Sequence, residues 1–194
     1  LARVIRTARN SNLFDKIVVS SEDNEILVLA EKEGAVAHVR PVELASDCST
    51  VVEVCLEALR HFSCDFFCCI YPTAALISKK TLDLSSREFF SDRSKSVLMG
   101  VSEFNHHPVQ ALTIDEHGNA RLLFPEYGRL QSQLYPKVRV SNGTFYWAEV
   151  GPFLKEKTFY SNALSLFDVP QSEAFDLDNE DDYDKLVQTY EAAI

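Results

Sequence analysis

The chain alternates between stretches whose apolar residues recur every three to four positions and short, nearly continuous apolar runs, which are the signatures of amphipathic helices and buried strands. Leu1, Val4, Ile5 and Ala8 form one stripe within residues 1–12 and predict a basic helix there. Residues 16–20 (KIVVS) read as a short buried strand, Ser21 as an N-cap, and the stretch through Glu33 as a helix that Gly34 ends. Residues 36–39 are the next strand. A further helix is expected to open at residues 47–49 and run to about His61, with Val52, Cys55, Leu56 and Leu59 inward. Residues 66–71 form an apolar strand that Pro72 breaks.

Beyond that proline the pattern predicts a helix over 79–90, a strand over 96–101, and strands over 109–114 and 120–124 joined by a turn at 116–119. Residues 125–137 have mixed polarity, two prolines and no period, and read as a long irregular excursion of the functional kind. Residues 141–148 contain a strand with Phe145 and Trp147 on one side and Thr144 and Tyr146 on the other. A short helix at 152–157, a strand at 163–169 and a helix over 180–193 complete the pattern. Strands alternating with helices imply an α/β domain with a mainly parallel sheet flanked by helices.

Composition narrows the possible functions. A length of 194 residues suits one domain, and no apolar run approaches the roughly 20 residues needed to cross a bilayer. The formal net charge of −10 and sequence pI near 4.9 argue against nonspecific nucleic-acid binding. Five cysteines, an odd number in mostly apolar surroundings, point to free thiols and a cytoplasmic location. Paired zinc-ligand spacings with a second half elsewhere are missing.

The segment DLDNEDD over 176–182 sets carboxylates at alternate positions where a strand gives way to a helix. Asp176 and Asp178 therefore point to one side of an extended chain and can share a hard cation such as Mg²⁺. The alternative is a solvated helix start whose acidic first turn complements the helix dipole. Arg40, between a strand and Pro41, is suited either to nucleotide contact at a sheet edge or to a salt bridge with Glu43. Thr73 can contact a nucleotide or cap its loop. Asn142 and Gly143 mark either close approach of backbone to a ligand or a plain bulge. His106 and His107 precede Pro108 as ligand contacts or as solvated loop histidines.

The segments VVSSEDNEI (18–26), VRPVEL (39–44), IYPTAA (70–75), HHPV (106–109), VSNGTFYW (140–147) and FDLDNEDD (175–182) together resemble the successive motifs of the CMP-sialic acid synthetases. Within that family the tyrosine-proline-threonine strand end and the SNGTFYW string are most similar to pseudaminic acid cytidylyltransferases. The resemblance implies a Rossmann-like nucleotidyltransferase in which the anomeric hydroxyl of a nonulosonic acid attacks the α-phosphate of CTP and pyrophosphate leaves. It further implies Mg²⁺ or Mn²⁺ on Asp176 and Asp178, nucleotide contacts from Arg40 and Thr73, and sugar contacts from His107, Asn142 and Gly143. The sugar carboxylate invites a bidentate arginine, and Arg129 and Arg139 flank the excursion with Gln133 between them. In sialic acid synthetases an arginine beside a glutamine contributes across a homodimer interface. Here Ser132 fills the place beside Gln133, which leaves Arg129 as the substitute within the dimerisation excursion 125–137.

Two departures from the family pattern shape the expectations. Ala74, Ala75, Leu76 and Ile77 stand where many sialate-type relatives carry Ser, Pro, Leu and Arg, which favours pseudaminic acid over N-acetylneuraminate. The family's first strand and phosphate-holding loop are absent from this chain, so these residues alone are expected to bind CTP poorly. A cytidylyltransferase for a related ulosonic acid and a non-catalytic nucleotide-sugar-binding or assembly module are the competing readings.

Overall fold

The computed structural model of the protein describes residues 1–46, 48–174 and 180–191. Helix α1 (Ala2–Ser11) carries the expected stripe, with Val4, Ile5 and Ala8 buried. Strand β1 (Val18–Ser21) pairs in parallel with β2 (Val36–Val39), in register from Val18 opposite Val36 to Ser21 opposite Val39. Helix α2 (Asn24–Lys32) is the crossover between them. Its N-cap is Asp23, which accepts from the Glu25 amide at 2.7 Å. Ser21, expected in that role, is instead the last residue of the strand, and its buried hydroxyl accepts from the Asp23 amide at 3.1 Å. Helix α3 (Val51–His61) likewise opens later than predicted. A reciprocal capping box between Thr50 and Glu53 satisfies two helix-start donors at once and sets the boundary.

The central sheet has the order β3 (Phe66–Ile70), β7 (Val140–Glu149), β4 (Val97–Ser102), β8 (Leu164–Asp168). It is mixed: β4 and β8 are parallel, while β7 runs antiparallel to both β3 and β4. The direction of β7 follows from the connection before it. No crossover helix follows β4; the chain makes its excursion at the carboxyl edge of the sheet and re-enters from that same edge, so the next strand must run backward. The excursion contains the hairpin β5 (Leu112–Ile114) and β6 (Ala120–Leu122), closed by Asp115, whose Oδ1 accepts from the amides of His117 (3.0 Å) and Asn119 (2.9 Å). Three single-turn 3₁₀ helices make up much of the remainder.

Side chains leave the central sheet on two apolar faces, as the alternation in β7 predicts. Phe145 and Trp147 join Leu98, Ile77, Leu82 and Phe89 beneath α4 (Lys79–Ser91), and Trp147 Nε1 donates to the buried Ser85 hydroxyl at 3.0 Å. Tyr146 and Ala148 join Val97, Met99 and Val101 on the opposite face, against Phe153 of α5 (Val150–Glu156) and the inward residues of α3. Each fully buried Leu or Phe contributes roughly 1.5–3 kcal/mol through removal of its surface from water. These faces hold the sheet edge in place. Helix α6 (Glu180–Glu191) follows, with Leu186 buried. Among the described residues no helix is long and apolar enough to cross a membrane.

Candidate functional site

The carboxyl edge of the central sheet brings together the ends of β3, β4 and β8 with the beginning of β7, and its main feature is an arch in β7. Met99 lies opposite Tyr146 and Val101 opposite Ser141, so a single residue of β4, Gly100, faces the four residues from Asn142 to Phe145. The arch leaves β4 but stays fastened to the chain beyond β3, where the Tyr71 amide donates to the Thr144 carbonyl at 3.0 Å. Gly143 has φ of +62°, in the left-handed region that strains any residue with a Cβ. Gly100 is required for a different reason. A Cβ there would come within 2.6 Å of Thr144 Oγ1, which fills the space under the arch.

Asn142 is the strut of this arch. Its Nδ2 donates to Ser102 Oγ at 2.8 Å, and its Oδ1 accepts from the Thr144 hydroxyl at 2.6 Å and from the Thr144 amide at 3.3 Å. The side chain is buried together with Thr144, and Ser102 is partly buried beside them. The Asn-Gly pair thus forms a bulge, and the bulge lies at the carboxyl edge of the sheet, where open α/β folds bind their ligands. Ser141 and the Tyr146 hydroxyl meet at 2.6 Å beside it. Burial, and then the neighbouring Tyr146, push the Tyr71 hydroxyl above the ordinary phenol range and keep it protonated.

The other predicted residues fall at several places. Thr73 lies in the loop after β3, partly buried, with its carbonyl accepting from the Ala75 amide at 2.7 Å. Arg40 follows β2 and its Nε donates to Glu22 Oε2 at 3.0 Å; the carboxylate partner is thus Glu22 and not Glu43. The hydrogen bond from Arg40 holds the Glu22 carboxyl below its usual range. His107 has both ring nitrogens engaged: Nδ1 accepts from the Val109 amide at 3.4 Å, and Nε2 lies 2.9 Å from the Pro136 carbonyl, to which it donates as the neutral tautomer. Its ring packs on Tyr135 at 4.9 Å between centroids. His107 thereby clamps the end of the excursion to the loop after β4, while His106 is exposed. Arg129 is exposed, as is Gln133, whose Nε2 donates to Gln131 Oε1 at 2.7 Å. Asp176 and Asp178 lie outside the described residues.

A further arrangement at this edge joins Arg139, one of the two arginines flanking the excursion, to acids that the sequence did not pair with it. A cleft of about 190 Å³ beside the arch is lined by Glu103, Phe104, His107, Lys137 and Arg139. Arg139 stands between two acids, with Nη2 at 3.2 Å from Glu103 Oε1 and 3.4 Å from Asp168 Oδ2. The hydrogen bond to Asp168 raises its already high pKa, so the guanidinium stays charged. No local spacing links residues 103, 139 and 168, and only strand pairing assembles them. Two of the thiols are held in the protonated form: the contact with Cys69, then burial, push the Cys55 thiol far up, and burial does the same to Cys68.

The sequence model of the family described as cytidylyltransferase matches residues 1–176. The chain belongs to the cytidylyltransferase family. The pseudaminic acid cytidylyltransferase of Campylobacter jejuni serotype O:23/36 is 30% identical over 188 residues, covering 94% of this chain and 81% of that protein. Its counterpart in serotype O:2 is 31% identical over 180 residues, covering 90% and 77%. Among solved structures, CMP:2-keto-3-deoxy-manno-octonic acid synthetase complexed with CTP superposes with a TM-score of 0.66 at 11% identity, over 99% of this chain and 87% of that one. At that identity the likeness shows the fold alone, and it agrees with the expected Rossmann-like nucleotidyltransferase architecture.

Proposed function

We propose that this cytidylyltransferase joins CTP to a nonulosonic acid, pseudaminic acid in preference to N-acetylneuraminate, giving the CMP-sugar and pyrophosphate. The observation that carries the reading is the similarity, spread over nine-tenths of the chain, to two proteins that bear that activity in their names. In the reaction the sugar's anomeric oxygen forms a bond to the α-phosphorus, the bond to the β-phosphate bridging oxygen breaks, and the hydroxyl proton is lost to a base or to water. Such a transfer needs in-line positioning and neutralisation of charge more than covalent participation by the protein.

The chain's own residues supply positioning groups. The arch at Asn142 and Gly143 offers backbone that a ligand can approach closely, and the buried Asn142 keeps its shape. Arg139 is a permanently charged donor beside the cleft, suited to a carboxylate or phosphate once it exchanges an acidic partner. Arg40 and Thr73 remain assigned to the nucleotide, and His107, Arg129 and Gln133 to the sugar. The carboxylates of Asp176 and Asp178 are hard oxygen donors of the kind Mg²⁺ or Mn²⁺ takes, and the ion would neutralise triphosphate charge. A homodimer built through the excursion 125–137 is supported by the apolar side chains exposed in it, Leu130 and Leu134, and by Leu112, Ile114 and Leu123 exposed in the segment just before it.

The test is pyrophosphate release by the full-length protein with CTP and Mg²⁺, comparing pseudaminic acid, N-acetylneuraminate and an eight-carbon ulosonic acid. Preference for pseudaminic acid is expected. Preference for another acid would reassign the substrate, and no turnover with any of them would favour a binding module. Sedimentation should give a dimer, and a monomer at micromolar concentration would remove the interface from the proposal.

A further inference from the structure

Away from the carboxyl edge of the central sheet, three side chains have the composition of a transition-metal centre. One ring nitrogen each from His38 and His61 and one carboxylate oxygen of Glu57 lie within 4.8 Å of one another. They come from separate parts of the fold. His38 is a buried residue of β2, whereas Glu57 and His61 stand four apart on the last turns of α3, so one helix face presents both. The two imidazole rings are 5.1 Å apart between centroids.

The surroundings orient these groups. Ser20 Oγ, from the neighbouring strand, is 3.1 Å from His38 Nδ1, and as acceptor it would fix the tautomer that leaves the Nε2 lone pair free. Phe62 meets the His38 ring edge-on at 5.5 Å between centroids. Glu57 Oε2 accepts from Arg60 Nη1 at 2.9 Å, while Oε1 lies 3.0 Å from His61 Nε2. A helical Glu-His-Arg ion pair accounts for the last three residues. It does not account for a buried histidine of another element in the same place, hydrogen-bonded among the described residues to neither Glu57 nor His61.

We propose that His38, Glu57 and His61 bind one borderline divalent transition-metal ion, with Zn²⁺ as the probe, and that the ion ties the β1–β2 layer to α3. Two imidazoles and one carboxylate suit Zn²⁺ or Co²⁺ far better than Mg²⁺, so this site is chemically distinct from one made of aspartates and independent of the transferase reaction. A tetrahedral Zn²⁺ site brings ligand atoms to about 3.3 Å from each other. His61 is half exposed and can close that gap by turning its ring from Glu57 toward the ion, with water completing the shell.

Titration of the tag-free protein with Co²⁺, followed by Zn²⁺ competition, tests the site. One ion per chain is expected, with a visible spectrum lacking a thiolate charge-transfer band, and with no displacement by Mg²⁺. His61→Gln and Glu57→Gln should each weaken affinity by about 100-fold and abolish the rise in Tm that Zn²⁺ produces in the parent. The exposed thiol control Cys64→Ser should leave both unchanged. Wild-type affinity in both His61→Gln and Glu57→Gln would overturn the proposal, as would loss of binding in Cys64→Ser or the absence of saturable binding.

Discussion

Replacing Asn142 by alanine separates a structural role from a ligand contact. The substitution removes the acceptor of the Thr144 hydroxyl at 2.6 Å and of its amide at 3.3 Å, together with the donor to Ser102 at 2.8 Å. Thr144 is completely buried, so its hydroxyl has no access to bulk water. An unsatisfied buried hydroxyl costs about 1–3 kcal/mol and the lost bond to Ser102 about 1 kcal/mol, for a total near 3 kcal/mol. With a urea m-value of about 2 kcal/mol/M, the unfolding midpoint should fall by roughly 1.5 M at unchanged m. Asn142→Asp keeps the acceptor for Thr144, and the Ser102 hydroxyl can turn to donate, so its loss should be smaller despite the added charge. The decisive comparison is between stability and the sugar KM. A midpoint within 0.2 M of the parent, alongside a raised sugar KM in Asn142→Ala, would refute the strut and make the amide a substrate contact.

Three further outcomes are expected. Trp147→Phe deletes the bond to Ser85 and part of the stacked contact with Phe14 at 5.4 Å, costing about 2 kcal/mol, which scanning calorimetry should record as a Tm lowered by roughly 4–8 °C. The hydrogen bond from Arg6 holds the Glu33 carboxyl below its unfolded pKa; the native state therefore binds fewer protons there. Its stabilisation is complete above the ordinary glutamate range and is lost as pH falls through the depressed folded value, and Glu33→Gln should flatten the acid limb of a Tm-against-pH curve. Asp178→Asn should keep the circular dichroism and Tm of the parent and lose pyrophosphate release; undiminished turnover would take the cation away from that carboxylate.

Local sequence determined most of the elements. The stripe of α1, the Phe145/Trp147 alternation of β7 and the turn at Asp115 depend on contacts between near neighbours, which periodicity and turn chemistry report directly. Boundaries were less legible where two caps competed, as Ser21 did with Asp23 and residues 47–49 with Thr50; the winner is the side chain that reaches a free helix-start amide in the folded geometry. Of the site, the Asn-Gly signal and the family motifs marked the arch, but its internal bonding was hidden because Ser102 is 40 residues from Asn142. The pairing of Arg139 with Glu103 and Asp168 and the approach of His38 to the Glu57/His61 helix face were likewise settled by tertiary structure alone. The reversed direction of β7 belongs to that group too. The period of a strand records which side chains share a face, and carries no information about which neighbour it pairs with or which way that neighbour runs.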